Sequence, residues 1–240
     1  MEFSLLGAAA VAVFCFWAML RFEAKRGNAA GCAVNLWDAG LLSGMFGILI
    51  GRLVAMMIAG INPITSPFQI ILIRSGVSTV AASVAALGLF LFLSRRDIIA
   101  AADGIAPAAL AGLAGWHAGC VTTGGCLGTE SDLPWAWALD GSTVTRHPVE
   151  LYAALAMGLV AIALALWKQR GRPPAGMPAG VALAVASGVR LATEPLRISL
   201  GGGPFVFYGA GVVAGCGITI WALLRSRRLG EADEPVEPFS

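Results

Sequence analysis

Charge is what this 240-residue chain has least of. Its 16 basic and 14 acidic side chains are 12% of the total, about half the share of a soluble domain. So few charges cannot cover a water-facing surface of this size, and a soluble fold is excluded. Histidine is rarer still. His117 and His147 are the only two, and no HExxH or CxxC accompanies them, which makes a poor set for metal. Neither a G-x-x-x-x-G-K-[ST] phosphate loop nor a G-x-S-x-G nucleophile elbow occurs, so nucleotide chemistry and the usual hydrolase turn find no support. No cofactor is expected. Short alternating segments of the kind that build a transmembrane β-barrel are also missing.

What is present is apolar. Hydrophobic residues make up 58% of the chain and glycine contributes 31 positions, a composition suited to closely packed transmembrane helices. A helix needs about 20 apolar residues to cross the hydrocarbon core. Stretches of that kind fall at 3–20, 39–60, 69–94, 98–116, 149–167, 177–196 and 204–224. The chain therefore reads as an all-α integral membrane protein with seven transmembrane helices. A long loop separates the fourth from the fifth.

Orientation follows from the basic residues. Arg21, Lys25, Arg26, Arg95, Arg96, Lys168, Arg170, Arg172, Arg225, Arg227 and Arg228 all fall in every second interval between spans. The positive-inside rule makes those intervals cytoplasmic, so the N-terminus is expected outside and the C-terminus inside. Glu2 stands where a signal peptide carries its basic region, so the first span is expected to stay as a helix. Residues 1–228 form the membrane domain, and the acidic, proline-containing end 229–240 reads as a disordered cytoplasmic tail.

Five basic residues escape this pattern: Arg52, Arg74, Arg146, Arg190 and Arg197. An arginine at a helix centre costs at least about 2.5–3.5 kcal/mol on the insertion scale. Snorkelling or an ion pair would explain one such residue, but the same regions hold essentially one acid, Glu194. The helical rise places Arg52 and Arg190 roughly 20 Å from the cytoplasmic side and Arg74 about 9 Å in from the other. All three share the outer half of the membrane with His117. Arginines gathered at one depth call for an anion, and a phospholipid phosphate matches their bidentate geometry. Arg190, Glu194 and Arg197 share one helix face if the helix runs past Pro195, which removes a backbone hydrogen bond there.

The outer loop holds both histidines and Trp116, Trp135 and Trp137, which suit an interfacial belt or a binding cage. Cys120 and Cys126 could pair on an oxidising face or pack as apolar thiols.

These stretches resemble the bacterial prolipoprotein diacylglyceryl transferases. GILIGRLVAMM, INPITSPFQ, DGIAPAALAGLAGWHAGC, GGCLG, RHPVELYAAL and RLATEPLR follow in the order of that family's segments, from about Asp38 to the last span. The resemblance implies a seven-helix inner-membrane enzyme that moves diacylglyceryl from phosphatidylglycerol to the lipobox cysteine of a preprolipoprotein. It implies no nucleic-acid partner. The departures are specific: His117 stands at the family's signature arginine, and Arg74 stands at its histidine. As a transferase, His117, Arg74, Arg190 and Glu194 are the catalytic candidates. His117 would be the base, the arginines would hold phosphate, and Glu194 would orient an arginine. Arg52, Gly128, Arg146, His147, Tyr152 and Arg197 are the substrate-binding candidates. The altered positions also leave open a non-catalytic phospholipid- or lipoprotein-binding member of the fold. A small-anion transporter would use the same arginines.

Overall fold

The computed structural model describes residues 2–27, 33–71, 77–121, 127–138, 141–198 and 203–232. Its helices are α1 (Glu2–Lys25), α2 (Leu36–Ile58), α3 (Phe68–Ile71), α4 (Thr79–Leu93), α5 (Ile98–Val121), α6 (Val149–Gly171), α7 (Met177–Thr193) and α8 (Phe205–Ala232). A two-residue antiparallel ribbon, β1 (Trp137–Ala138) with β2 (Thr145–Arg146), lies in the connection from α5 to α6. Five helical stretches are long and apolar enough to cross a membrane: Gly7–Lys25, Leu36–Ile58, Ile98–Val121, Val149–Gly171 and Phe205–Arg228.

α5 is the hub. It packs along α1 and α6 and also touches α7, while α2 pairs with α4 and α7 with α8. The main core joins Leu110 and Ala111 of α5, Met157, Ala161 and Leu164 of α6, and Ala182 of α7. A second cluster joins Leu36 and Ala39 of α2, Phe90 of α4 and Ala101 of α5. Alanine and glycine set the spacing, because contact between apolar helices in lipid improves only as backbones approach. A Cβ on Gly119 would lie 2.5 Å from the Ala8 Cα of α1, and one on Gly215 would run into the Ala184 backbone of α7.

Local chemistry fixes the helix starts. The Asn35 side chain accepts from the Trp37 N–H at 3.1 Å and donates to the Asp38 carboxylate at 2.8 Å, capping α2. Asp103 of α5 accepts the backbone N–H of Gly176 at 2.6 Å and of Ala179 at 3.0 Å, capping α7 from another helix. Lys168 of α6 donates to the Asp103 carbonyl at 3.0 Å and pairs with the buried Glu23 of α1. These contacts, with Gly176 beside Trp221 and Phe90 beside Leu36, bring all four basic clusters to one end of the bundle.

Two spans differ from the sequence reading. The stretch expected as one helix over 69–94 is interrupted, because Val77 and Ser78 are not helical. Ser78 is extended (φ −67°, ψ 107°), and its N–H donates to the Gly51 carbonyl of α2 at 3.0 Å instead of continuing a helix. The sixth stretch, expected to 196, ends as an α-helix at Thr193. Pro195 follows in a tight 3₁₀ turn over Glu194–Leu196, and Arg197 is extended. At the C-terminal end α8 runs to Ala232, past position 228.

A close glycine contact generates the first prediction. Gly215→Ala should destabilise the protein by about 1–3 kcal/mol through overpacking. Gly217→Ala, where a Cβ meets nothing within 4 Å, should leave stability equal or slightly raised. Thermal unfolding in detergent separates the two variants.

Candidate functional site

The polar cluster lies at the end of the bundle opposite the basic one. Helix α5 delivers His117 within its last turns, and α6 begins beside it with Glu150 in its first turn. His117 is 5% exposed and Glu150 4%. The His117 Nδ1 is hydrogen-bonded to the Glu150 carboxylate. An ionised carboxylate only accepts, so Nδ1 carries the proton. The second Glu150 oxygen pairs with the Arg197 guanidinium. Burial lowers the Arg197 pKa from its ordinary value, and Tyr208 partly offsets this; a guanidinium keeps its charge regardless.

Arg190 stands one turn before the end of α7. Its Nη2 donates to the Tyr208 hydroxyl of α8 at 2.9 Å and lies 3.4 Å from the Glu194 carboxylate. The guanidinium also sits over the Tyr208 ring, 5.3 Å from its centroid. Glu194 is buried, and Gly203 closes against it so tightly that a Cβ there would overlap the carboxylate. His117, Arg190, Glu194 and Arg197 are thus drawn together from α5, α7 and the turn after it. The single helix face that Arg190, Glu194 and Arg197 would share if the helix ran past Pro195 is not formed. Arg197 leaves the helix and turns to Glu150.

The connection from α5 to α6 docks on this cluster through its backbone. Thr129 donates to the Leu196 carbonyl at 2.8 Å and Gly128 donates to the His147 carbonyl at 2.8 Å. Gly128 has no room for a side chain, since a Cβ would strike the Leu196 carbonyl and Val149. Arg146 donates to the Gly128 carbonyl at 3.3 Å and pairs with Glu130 at 3.4 Å. The His147 ring meets Tyr152 edge-on at 6.3 Å, and the Tyr152 hydroxyl accepts from Trp135 Nε1 at 2.8 Å. Gly128, Arg146, His147 and Tyr152 therefore build the docked connection, not the charged cluster.

Arg52 is 2% exposed on α2. It donates to the Gln69 carbonyl from Nη2 at 2.6 Å and from Nε at 3.2 Å. Arg74 and Cys126 lie outside the described residues. Cys120 is disulfide-bonded, whereas Cys15 and Cys216 are free. An open apolar groove lined by Ala9, Val13, Phe14, Trp17 and Trp37 lies between α1 and the start of α2, and His117 does not line it.

Two residues central to this geometry were not singled out in the sequence. Glu150 is an acid in the first turn of a helix, a common placement that needs no functional cause. Its signal was its place in RHPVELY, where the resembled segment has glutamine. Tyr208 carried no spacing signal at all.

Residues 2–225 match the family model described as prolipoprotein diacylglyceryl transferase. The chain is 28% identical to the phosphatidylglycerol–prolipoprotein diacylglyceryl transferase of Cupriavidus pinatubonensis, over 98% of this chain and 91% of that one. It is 27% identical to the protein of that name in Cupriavidus necator, over 98% and 92%. A third protein of that name, from Pseudoalteromonas translucida, is 32% identical over 58% of this chain and 56% of its own. With a match from one end of the bundle to the other, the resemblance read from its arginine and histidine segments holds, and the chain belongs to the prolipoprotein diacylglyceryl transferase family.

Proposed function

We propose that this transferase moves a diacylglyceryl group from phosphatidylglycerol to the cysteine thiol of a prolipoprotein, at the cluster built by His117, Glu150, Arg190, Glu194 and Arg197. The observation that carries the reading is the gathering of one imidazole and two arginines at a single buried end of the bundle. The reaction needs a thiolate, the reactive form of cysteine, so His117 takes the thiol proton. The sulfur then attacks the glyceryl carbon, the carbon–oxygen bond breaks, and glycerol phosphate departs with the electron pair. Charge grows on the phosphate oxygens as that bond breaks, and preorganised cations are most effective there. Arg190 is suited to this role because Tyr208 and Glu194 fix its guanidinium in place. Arg52 and Arg74 supply further positive charge around the donor head group. Arg146, His147, Tyr152 and Gly128 hold the connection that covers the acceptor peptide.

In the same reading the protein crosses the bacterial inner membrane seven times. The segment containing α3 and α4, together with α7, completes the five longer spans. The end bearing the four basic clusters faces the cytoplasm, and the acidic C-terminal end lies on that side. The reactive cluster then lies toward the outer leaflet, within reach of a phospholipid and of a secreted lipobox cysteine.

Three outcomes test this. A reporter fused to the C-terminus should be active only as a cytoplasmic fusion; periplasmic activity overturns the topology. Arg190→Ala should lower kcat for lipobox peptide and phosphatidylglycerol by about 10²-fold or more while circular dichroism shows an intact helical protein. Unchanged turnover removes Arg190 from the phosphate. His117→Gln should abolish transfer, and the double change Arg74→His with His117→Arg should recover a large part of it. A double variant as inactive as His117→Gln shows that the two positions do not exchange roles.

A further inference from the structure

The cluster contains one relationship that the transfer reaction itself does not demand. His117 could serve as a base in either tautomer, yet only one of its nitrogens is committed. Its Nδ1 is held by Glu150, and Nε2 has no hydrogen-bond partner among the described residues. The acid that holds it is anchored on its other oxygen by Arg197. Both side chains of the His117–Glu150 pair are almost completely buried, 6% and 5% exposed. Placing a carboxylate there is costly in desolvation unless it is well paired. The pairing is made from three separate elements: the end of α5, the start of α6 and the residue after the turn that ends α7. An isolated capping acid at the start of α6 would need none of this.

We propose that Glu150 is a positioning residue for the transfer, fixing His117 in the tautomer whose Nε2 is the basic atom. This rests on the reading of His117 as the base. Glu150 touches neither donor nor thiol and acts through the imidazole. In the step it supports, the thiol proton passes to Nε2 and the sulfur electron pair forms the new carbon–sulfur bond. The electron pair of the broken carbon–oxygen bond leaves on the phosphate. The imidazolium formed in between is held by the Glu150 carboxylate, and it returns its proton to the departing phosphate. Arg197 keeps Glu150 ionised and acceptor-only, so the acid cannot turn its own proton toward the ring. Among the described residues, Arg190 also acts on His117 electrostatically, and it is turned toward Glu194 and Tyr208.

The test uses the full-length protein in phosphatidylglycerol-containing liposomes with a lipobox peptide. Glu150→Gln keeps the size of the side chain but can present either an acceptor or a donor to the ring. It should lower kcat by about 10²–10⁴-fold, the range of a general-base contribution, with KM for phosphatidylglycerol unchanged. Glu150→Asp should restore part of the loss because it restores an acceptor-only partner. Nitrogen-15 NMR of histidine-labelled protein reads the tautomer directly, with His117→Gln identifying the resonances. The unsubstituted protein should show a protonated Nδ1 and a bare Nε2, and Glu150→Gln should populate the other tautomer. A protonated Nε2 in the unsubstituted protein overturns the proposal even if no Glu150 variant folds. So does a Glu150→Gln enzyme with normal kcat, or one impaired through KM alone. Full turnover by His117→Gln overturns the base and the positioning role together, whereas full turnover by Glu150→Gln alone overturns only the positioning role.

Discussion

A charge inside an apolar bundle must be met by an opposite charge or by aligned dipoles, and this requirement organises both ends of the molecule. At the basic end, Lys168 is met by Glu23 and the Asp103 carbonyl, and Asp103 is met by the first N–H groups of α7. At the other end, Glu150 is met by His117 and Arg197, and Glu194 by Arg190. Each set ties together helices that are distant in sequence. Dispersion between alanine- and glycine-lined helices brings them close, but it is indifferent to small slides along their axes. The polar ties remove that freedom, because an ion pair with no water around it cannot be stretched cheaply.

The same requirement changes how the arginines are understood. Read along the sequence, Arg190 and Arg197 look like surplus positive charge awaiting a phosphate. In the folded protein each already faces a carboxylate, so these two pairs are close to neutral and, in the proposed reading, their arginines are held in place before any lipid arrives. That is the condition for electrostatic catalysis, in which donors are oriented in advance and do not reorganise as charge develops. An anion entering this cluster shares arginines with Glu150 and Glu194. Such a site favours a group whose charge grows during the reaction over one that is fully charged from the start.

Much of the architecture was legible because the membrane imposes a length and the helix a rise. The stretches at 39–60, 98–116 and 149–167 lie within α2, α5 and α6 or differ from them by a few residues. The interruption at Val77 and Ser78 was not legible, since it depends on a hydrogen bond to Gly51, a residue of another helix. The end of α7 at Thr193 was foreshadowed by Pro195, but the turning of Arg197 to Glu150 was not. Glu150 itself was hidden by its ordinary position in the first turn of α6. Tyr208 was hidden because a hydroxyl at the start of an apolar helix gives no periodic signal. His117 and Arg190 could be found because each stands out against apolar neighbours. Glu194 could be found with Arg190 because it lies one helical turn away, whereas Glu150 and Tyr208 could not, because partnership across helices is a property of the packing.

Gly203 has a consequence for how this protein can vary. Its hydrogen occupies the space where any Cβ would overlap the Glu194 carboxylate. A larger residue there would displace Glu194 from Arg190, or force the backbone at 203 away from the end of α7. The connection leading into α8 therefore cannot drift in sequence at that position independently of the cluster. A second change that relocates the acid would have to come first, so one small residue makes the entry to α8 and a buried ion pair evolve as a single unit.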